Sequence, residues 1–314
     1  IYLTRFDNAG NVLGTPEQRV SVSPGSADAQ PGSQDLPRIA AHADGSMMIV
    51  WRDSNGNDGS GWGIFGRSFD AVSGSFGNTV QINSYTYSTQ IDPDVAALAG
   101  GGYVVVWRDD NGRDGSGYAT FAQRLDASGA PVGGEFRVND NVSGNQYMAK
   151  VSALPTGGFV VAFYNDTGEY WGDTYIREFD AAGNPVDGDR RVNDDSGATY
   201  RNQYEPAIAD LGNGNFVVAW RADGNADGSA SGVFQQVFGE TARILSDLNH
   251  LVDARKDTLG VTGGEGVHDL VEEVGDRRNY SPEAMGGVGL RGHGSHPFGP
   301  ALPDWLAVWI RTLG

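Results

Sequence analysis

The sequence predicts an all-β fold, and within it a β-propeller of four-stranded blades over residues 1–238. The first observation is a repeat, since a Trp-Arg pair recurs and an aromatic pair fills the remaining place. The first residues of these pairs, spaced by 56, 56 and 57 positions, are Trp51, Trp107, Phe163 and Trp220. The second is that turn residues, among them many of the 47 Gly, divide each unit into four short apolar segments. Four strands in a unit of roughly 40–50 residues are typical of a propeller blade, whereas an immunoglobulin-type sandwich needs about 100 residues and shows no such repeat.

The second complete unit shows the predicted order of the strands, which are A at 93–98, B at 103–107, C at 118–125 and D at 135–139. Strand B is a continuous apolar run, and such a run between turn residues is typical of a strand covered on both faces. Residues 126–129, Asp-Ala-Ser-Gly, have the chemistry of a hairpin turn. Because the chain opens with C and D, at 2–6 and 12–22, the pattern predicts four A, four B, five C and four D strands. The ring therefore either closes at four blades or is a fragment of a larger ring.

Residues 239–314 break the pattern and contain four of the five His. Apolar residues at helical spacing over 244–252, with Thr241 as the N-cap, predict one helix. A second helix is predicted over 303–312. We therefore expect a C-terminal tail, 239–314, that is partly helical or poorly ordered, after a propeller domain at 1–238.

The chain is strongly acidic, with 40 Asp and Glu against 22 Lys and Arg and a formal net charge of −18. Such a surface repels nucleic acid and anionic lipid and attracts cations, so we expect no nucleic-acid partner. The absence of Cys excludes disulfides, thiolate metal sites and a Cys nucleophile. No run of about 18 apolar residues occurs, so we expect no membrane insertion. Ile1 is expected to lie within a strand rather than before one, which favours a fragment of a longer protein.

Two segments that span the B–C loop and strand C carry a resemblance to a known group of proteins. They read Asp-Gly-Ser-Gly-Trp-Gly-Ile-Phe-Gly-Arg-Ser-Phe-Asp at 58–70 and Asp-Gly-Ser-Gly-Tyr-Ala-Thr-Phe-Ala-Gln-Arg-Leu-Asp at 114–126. Over residues 1–238 the chain resembles the tandem propeller-like repeats of large secreted bacterial proteins, of the adhesin type that accompanies RTX calcium repeats or cadherin-like modules. The resemblance implies an extracellular location, secreted or at the cell surface, and an adhesive or scaffolding role. This chain has no nonapeptide calcium repeat of its own.

The loop between strands B and C is the candidate metal site. It reads Asp-Ser-Asn-Gly-Asn-Asp-Gly-Ser at 53–60 and Asp-Asp-Asn-Gly-Arg-Asp-Gly-Ser at 109–116. Carboxylate, amide and carbonyl oxygens on a short turn are the ligands that Ca²⁺ takes. The predicted calcium ligands are Asp53, Asn55, Asp58, Asp109, Asn111 and Asp114. The alternative is plain turn chemistry, because Asn-Gly and Asp-Gly supply a positive φ at little cost and Arg113 stands where a ligand is expected.

Aromatic residues supply the candidate ligand contacts. A Trp at the end of an apolar strand is usually core, so we expect Trp51, Trp107 and Trp220 to lie between blades rather than stack on sugars. Four other aromatic residues beside polar loops are the predicted ligand-binding residues: Trp62, Tyr118, Tyr170 and Trp171. The Arg that follows each of the three core Trp is expected to pair with an Asp of its own loop, such as Asp58 or Asp114.

These features favour a binding or scaffolding module with a surface glycan or a protein as its ligand and calcium as a stabilising ion. An enzyme is less favoured, because the Ser-x-Asp-x-Gly-x-Thr-Trp box of sialidase-type propellers, the Gly-x-Ser-x-Gly elbow and the His-Glu-x-x-His helix are all missing from the sequence. The alternative function is a secreted propeller hydrolase or lyase that acts on a polysaccharide. Its site would lie in the third unit, which departs from the repeat at 164–173 and brings Asp166, Glu169 and Asp173.

Overall fold

The computed structural model describes residues 1–22, 33–54, 57–166, 172–193, 202–212, 214–223 and 231–239, and the backbone of 288–290 and 308–310. The chain divides into two compact units, Ile1–Asn249 and His250–Gly314. Every regular element in the described residues is a β-strand, which confirms the all-β fold class. A helix long and apolar enough to cross a membrane is not found in that part of the chain.

The first unit is a succession of antiparallel sheets in which strands adjacent in sequence pair with each other. A two-stranded sheet of β1 (Tyr2–Phe6) and β2 (Val12–Arg19) comes first. Three four-stranded sheets follow: β3 (Gln34–Ala41), β4 (Met47–Asp53), β5 (Gly63–Asp70) and β6 (Ser75–Gln81); β7 (Gln90–Ala97), β8 (Tyr103–Asp109), β9 (Ala119–Leu125) and β10 (Pro131–Arg137); β11 (Asn145–Ala153), β12 (Phe159–Asp166), β13 (Asp173–Phe179) and β14 (Arg190–Arg191). A three-stranded sheet comes last: β15 (Gln203–Gly212), β16 (Asn215–Asp223) and β17 (Ser231–Phe238). These sheets are the predicted propeller blades, with the predicted four A, four B, five C and four D strands.

Strand B forms the centre of the hydrophobic core because its side chains alternate between the two neighbouring blades. In β8, Tyr103, Val105 and Trp107 pack toward the preceding blade, whereas Val104 and Val106 pack toward the following one. All five side chains are at most 1% exposed. β4 and β12 take part in the same way, and a separate apolar cluster fills each contact between successive sheets. The prediction that strand B is covered on both faces is confirmed for these three strands, where neighbouring blades stabilise one another. In β16 buried and half-buried residues alternate, and its buried side chains join only the cluster shared with the preceding blade.

The A strands are innermost, since β3 packs against β7, β7 against β11 and β11 against β15. Each A strand contains a bulge, where its pairing register with strand B shifts. One residue of each bulge has a positive φ: Leu36 at 49°, Asp92 at 56°, Met148 at 59° and Glu205 at 53°. A bulge bends its strand and re-aims the side chains around it.

A buried polar network links successive blades where β6 leads into β7 and where β10 leads into β11. The side chain of Asn83 accepts a hydrogen bond from the backbone NH of Ile64 (2.8 Å) and donates one to Oε1 of Gln90 (3.1 Å). Gln90 in turn donates to Oδ2 of Asp109 (3.4 Å). One blade later the same roles are taken by Asn139, Gln146 and Asn165. These groups are buried, and a buried polar group left without a partner costs about 1–3 kcal/mol, so the network favours one relative placement of the blades.

The second unit contains two described strands, β18 (Val288–Leu290) and β19 (Val308–Ile310), which pair with each other in antiparallel fashion. The helix predicted over 303–312 is therefore wrong at 308–310. The reason is composition, since Val-Trp-Ile consists of β-branched and aromatic residue types that favour strands. The helix predicted over 244–252 lies outside the described residues.

Candidate functional site

Strand A begins and strand B ends at the same edge of every blade. The register shows this directly, as Gln90 at the start of β7 lies opposite Asp109 at the end of β8. The B–C loops and the D–A connections therefore leave the blades at this edge. We call the edge the mouth; it comprises the first residues of β3, β7, β11 and β15, the last residues of β4, β8, β12 and β16, and the loops attached to them.

A row of aromatic and arginine side chains runs along the mouth from blade to blade. We call it the mouth row, and its members are Arg52, Trp62, Arg108, Tyr118, Tyr147, Tyr164, Tyr204 and Arg221. The guanidinium carbon of Arg52 lies 4.3 Å from the centroid of the Trp62 ring, and that of Arg108 lies 4.8 Å from the Tyr118 ring. A cation at that distance is attracted by the ring quadrupole, which orients the ring. Trp62 and Tyr118, two of the four predicted ligand-binding residues, thus both belong to the mouth row.

The exposure of the aromatic residues separates contact residues from core residues. Trp62 is half-buried and Tyr118 is 38% exposed, so both can touch a ligand. Trp51 and Trp107 are at most 1% exposed and Trp220 is 8% exposed, which confirms that they are core. The other two predicted contact residues, Tyr170 and Trp171, lie outside the described residues.

Three tyrosines extend the mouth row across the last two blades. The ring centroids of Tyr147 and Tyr164 are 5.0 Å apart, and those of Tyr164 and Tyr204 are 6.2 Å apart, both in edge-to-face geometry. The hydroxyl of Tyr164 donates to Oδ1 of Asn202 (2.8 Å), and burial, followed by the nearby Tyr147, raises the pKa of Tyr164. Sequence reasoning missed these tyrosines. The signal that marks two of them is the recurrent Gln of strand A, because Tyr147 and Tyr204 each follow such a Gln.

Carboxylates of the mouth neutralise the arginines of the row. Nε of Arg52 lies 2.5 Å from Oδ1 of Asp35, which raises the pKa of Arg52, and the charge of Asp92 adds to that rise. Arg108 pairs with Asp110 (2.7 Å) and with Asp92 (3.1 Å). In the last blade, Arg221 lies 3.5 Å from Asp223 and 3.8 Å from Glu205.

The prediction that these arginines pair with an Asp of their own loop is confirmed for Arg108, which pairs with Asp110, but the named examples Asp58 and Asp114 are not the partners. Both carboxylates turn back on their own loops instead. The backbone NH of Ser60 donates to Asp58 (3.1 Å) and that of Ser116 donates to Asp114 (3.1 Å). Asp114 also accepts a hydrogen bond from Asn139 (3.0 Å), so it joins the network between blades rather than the mouth row.

The two calcium-type loops differ in the charge that faces their carboxylates. In the second loop the guanidinium of Arg113 lies 3.2 Å from Oδ2 of Asp109 and 2.6 Å from Oε1 of Glu135, so this loop carries its own cation. In the first loop Asn57 takes that place and donates to Asp53 (3.4 Å). An added cation would therefore relieve less repulsion between carboxylates in the second loop than in the first.

The remaining predicted ligands do not assemble into one cluster of acidic groups. Asp53, Asp58 and Asp109 are at most 7% exposed, burial raises the pKa of Asp58, and the amide of Asn111 donates to the carbonyl of Tyr87 (2.6 Å). Asn55 lies outside the described residues. Within the described ranges, no group of three or more His, Cys, Asp or Glu side chains is placed to hold one metal ion. Calcium binding at these loops stays a prediction.

One carboxylate lies further from the mouth along strand A than the mouth row does. Asp94 of β7 accepts a hydrogen bond from the backbone NH of Val151 (3.0 Å), and its Oδ1 lies 3.8 Å from Nε of Arg38. Burial raises the pKa of Asp94, although Lys150 and Arg38 act against the rise. A carboxyl group that retains its proton to a higher pH than usual can act as a general acid.

The residues singled out for the enzymatic alternative are in different situations. Asp173 accepts a hydrogen bond from Asn193 (2.8 Å) and lies 3.5 Å from Arg191, which gives it a structural role. Asp166 is half-buried at the end of β12, and its charge contributes to raising the pKa of Tyr147, which burial raises most. Glu169 lies outside the described residues.

A scan against protein families and a search of curated proteins give no match for the chain. Among solved structures, a Hadza microbial sialidase is similar with a TM-score of 0.48 and 13% identity, covering 72% of this chain and 49% of that one. The endo-arabinase of Bacteroides thetaiotaomicron has a TM-score of 0.40 and 16% identity, covering 69% and 78%. A polysaccharide lyase has a TM-score of 0.38 and 9% identity, covering 75% and 64%. This chain thus spans about half the length of the sialidase, and likenesses at these identities do not assign it an activity.

Proposed function

We propose that the mouth binds a polysaccharide. The observation that carries the proposal is the mouth row, in which five aromatic rings and three ion-paired arginines lie along the mouth of four blades. An aromatic face with its negative quadrupole attracts the C–H face of a sugar ring. The paired guanidinium and carboxylate groups offer donors and acceptors to the hydroxyls at the edge of the sugar. A row of such groups matches a chain of several sugar units better than it matches one small molecule.

The charge of the mouth favours a neutral polysaccharide over an acidic one. Five carboxylates lie 2.5–3.8 Å from the three arginines of the row and outnumber them: Asp35, Asp92, Asp110, Glu205 and Asp223. The whole chain carries a formal net charge of −18. A polymer of uronate or sulfated sugars would approach against repulsion of the same sign.

Affinity electrophoresis in native gels tests this proposal. The neutral polymers arabinan, xylan and laminarin and the acidic polymers alginate and polygalacturonate are cast into parallel gels. At least one neutral polymer should retard the protein, and Trp62→Ala or Tyr118→Ala should weaken that binding by about 3- to 10-fold through the loss of an aromatic contact.

The matched control is Phe6→Ala, which removes an aromatic side chain that is 59% exposed at the end of β1, away from the mouth. It should leave the retardation unchanged. Equal mobility of the wild-type protein in all gels, or retardation only by the acidic polymers, would contradict the proposal.

Cleavage of the bound polysaccharide is the second candidate function, and the three similar solved structures above are a sialidase, an endo-arabinase and a polysaccharide lyase. On this chain the observation that favours it is Asp94, whose buried carboxyl has a raised pKa. Asp94→Asn should then abolish the release of reducing ends from a neutral polysaccharide and retain retardation in the gel. Full activity of Asp94→Asn would exclude Asp94 as the acid.

We also retain the proposal that the protein acts outside the cell as an adhesive scaffold stabilised by calcium. It is supported by the likeness of residues 58–70 and 114–126 to repeats of secreted bacterial proteins and by the acidic B–C loops. A glycan or a protein on a surface would be its partner. Surface-adhesion assays with and without calcium, blank in both conditions, would count against it.

A further inference from the structure

We propose that four residues with a strained backbone, one in each inner strand, contact the ligand and decide which polysaccharide the mouth accepts: Leu36, Asp92, Met148 and Glu205. The inference rests on the proposed polysaccharide binding. The four residues hold the same place, two positions after the recurrent Gln and inside the bulge of strand A. Their φ angles lie between 49° and 59°.

The backbone at these places favours glycine, yet glycine is absent from them. A side chain with a Cβ pays a steric cost in the left-handed region, whereas glycine enters it freely. Among the described residues only six other than glycine have a positive φ, and these four are among them. Three of the four also precede a proline, at Pro37, Pro93 and Pro206, and a following proline favours extended backbone. Glycine would relieve this backbone strain in every blade, yet each of the four places holds a residue with a side chain.

Two of the four side chains at this place contact the mouth row. Oδ2 of Asp92 lies 3.1 Å from Nη1 of Arg108, and Oε2 of Glu205 lies 3.8 Å from Nη1 of Arg221. Each carboxylate is thereby held beside an aromatic ring of the row, where it can accept a hydrogen bond from a sugar hydroxyl.

The equivalent places in the other two inner strands hold apolar residues, Leu36 in β3 and Met148 in β11, both half-buried. Acidic and apolar residues therefore alternate from blade to blade. Strained positions that keep a side chain and vary its chemistry are typical of a functional site. The alternation fits a neutral sugar chain, which presents hydroxyl edges and C–H faces in turn.

Glycine substitutions separate the backbone role of these residues from their contact role. The variants are Asp92→Gly and Met148→Gly, and the matched control is Glu17→Gly. Glu17 has a φ of 51° in β2, an outer strand, so the control relieves the same strain away from the axis. Tm is measured by thermal unfolding, and affinity by retardation in the neutral polymer that most retards the wild-type protein among arabinan, xylan and laminarin.

Asp92→Gly, Met148→Gly and Glu17→Gly should each melt up to about 4 °C above the alanine variant at the same position, because alanine loses the same side-chain contacts but keeps a Cβ at positive φ. Asp92→Gly should lose about 10- to 100-fold in affinity, as expected for the loss of a hydrogen bond to a charged acceptor. Met148→Gly should bind more weakly than Glu17→Gly, which should bind like the wild type.

Two outcomes would overturn the inference alone. If Trp62→Ala weakens binding while Asp92→Gly and Met148→Gly bind like the wild type, the bulges only shape the strands. If Asp92→Gly and Met148→Gly melt below Asp92→Ala and Met148→Ala, the strain that motivates the inference is absent. If the wild-type protein is retarded by none of the neutral polymers, the proposed function itself is wrong and the inference falls with it.

Discussion

Replacing Trp107 by Ala measures how far each blade depends on its neighbour. Trp107 is fully buried in the cluster between the second and third sheets. A buried aromatic side chain removes about 150–250 Å² from water, which at about 25 cal/mol per Å² amounts to roughly 4–6 kcal/mol. The β-carbon remains, and the buried Nε1 of Trp107 has no hydrogen-bond partner among the described residues, so about 1 kcal/mol of desolvation cost is recovered. We therefore expect a loss of about 3–5 kcal/mol in the free energy of unfolding.

Urea unfolding followed by tryptophan fluorescence and circular dichroism measures this loss. In a repeat protein the blades can unfold separately, so the two signals should first be shown to coincide. The matched control is Trp62→Ala, because Trp62 is half-buried at the mouth and its loss should cost less than about 1 kcal/mol. A loss below about 1 kcal/mol for Trp107→Ala would show that this ring is not part of the core and is able to contact a ligand.

Three further predictions concern charge. Arg113→Gln leaves the buried carboxylate of Asp109 without its guanidinium and should cost about 3 kcal/mol in urea unfolding; a loss within error would mean that the pair is not formed. Asp94→Asn should raise Tm at neutral pH. Burial raises the pKa of Asp94 in the folded state, so its contribution to stability is complete below the unfolded pKa and is lost as pH rises through the folded pKa. The gain in Tm caused by Asp94→Asn should therefore shrink toward acidic pH. A gain that does not change with pH would refute this explanation. Calcium at about 10⁻³ M should raise Tm more than Mg²⁺ does, and Asp58→Ala with Asp114→Ala should abolish the response; equal melting in calcium and in chelator would leave the loops as turns.

The blades could be predicted because their pattern is local. The spacing of the Trp residues and the apolar run of strand B define a repeat whose strands pair with their sequence neighbours, as the structure shows for β7 to β10. The hairpin turn at 126–129 follows equally from local chemistry, with the carboxylate of Asp126 accepting from the backbone NH of Ser128 (2.9 Å) and Ala130 (2.9 Å). The tail lacked such a repeat, and the weak helical pattern at 303–312 failed at 308–310, where two short segments far apart in sequence pair as strands.

The candidate site could be predicted only in part, because its members meet across blades. Trp62 and Tyr118 follow polar loops, a property visible in one unit. Tyr147 and Tyr164 lie within strands, and only the shared edge of strands A and B brings their rings to 5.0 Å. Arg52 was assigned the wrong partner for the same reason: the carboxylate nearest to it belongs to Asp35, at the start of the preceding strand and not in the loop that follows.

The start of strand A shows how one repeat can stay stable while the ligand contacts proposed for it vary. The recurrent Gln enters the buried polar network, as Gln90 and Gln146 do. The next residue differs between blades, and it contacts the mouth row as Asp35 in the first blade and as Tyr147 in the third. The residue after that carries the positive φ. Because the cores around strand B and the network hold the blades together, substitutions at the second and third positions should change what the mouth binds and leave the fold nearly as stable as before. The binding properties of this protein are therefore to be sought in those two positions of each inner strand, beside the loops that first drew attention in the sequence.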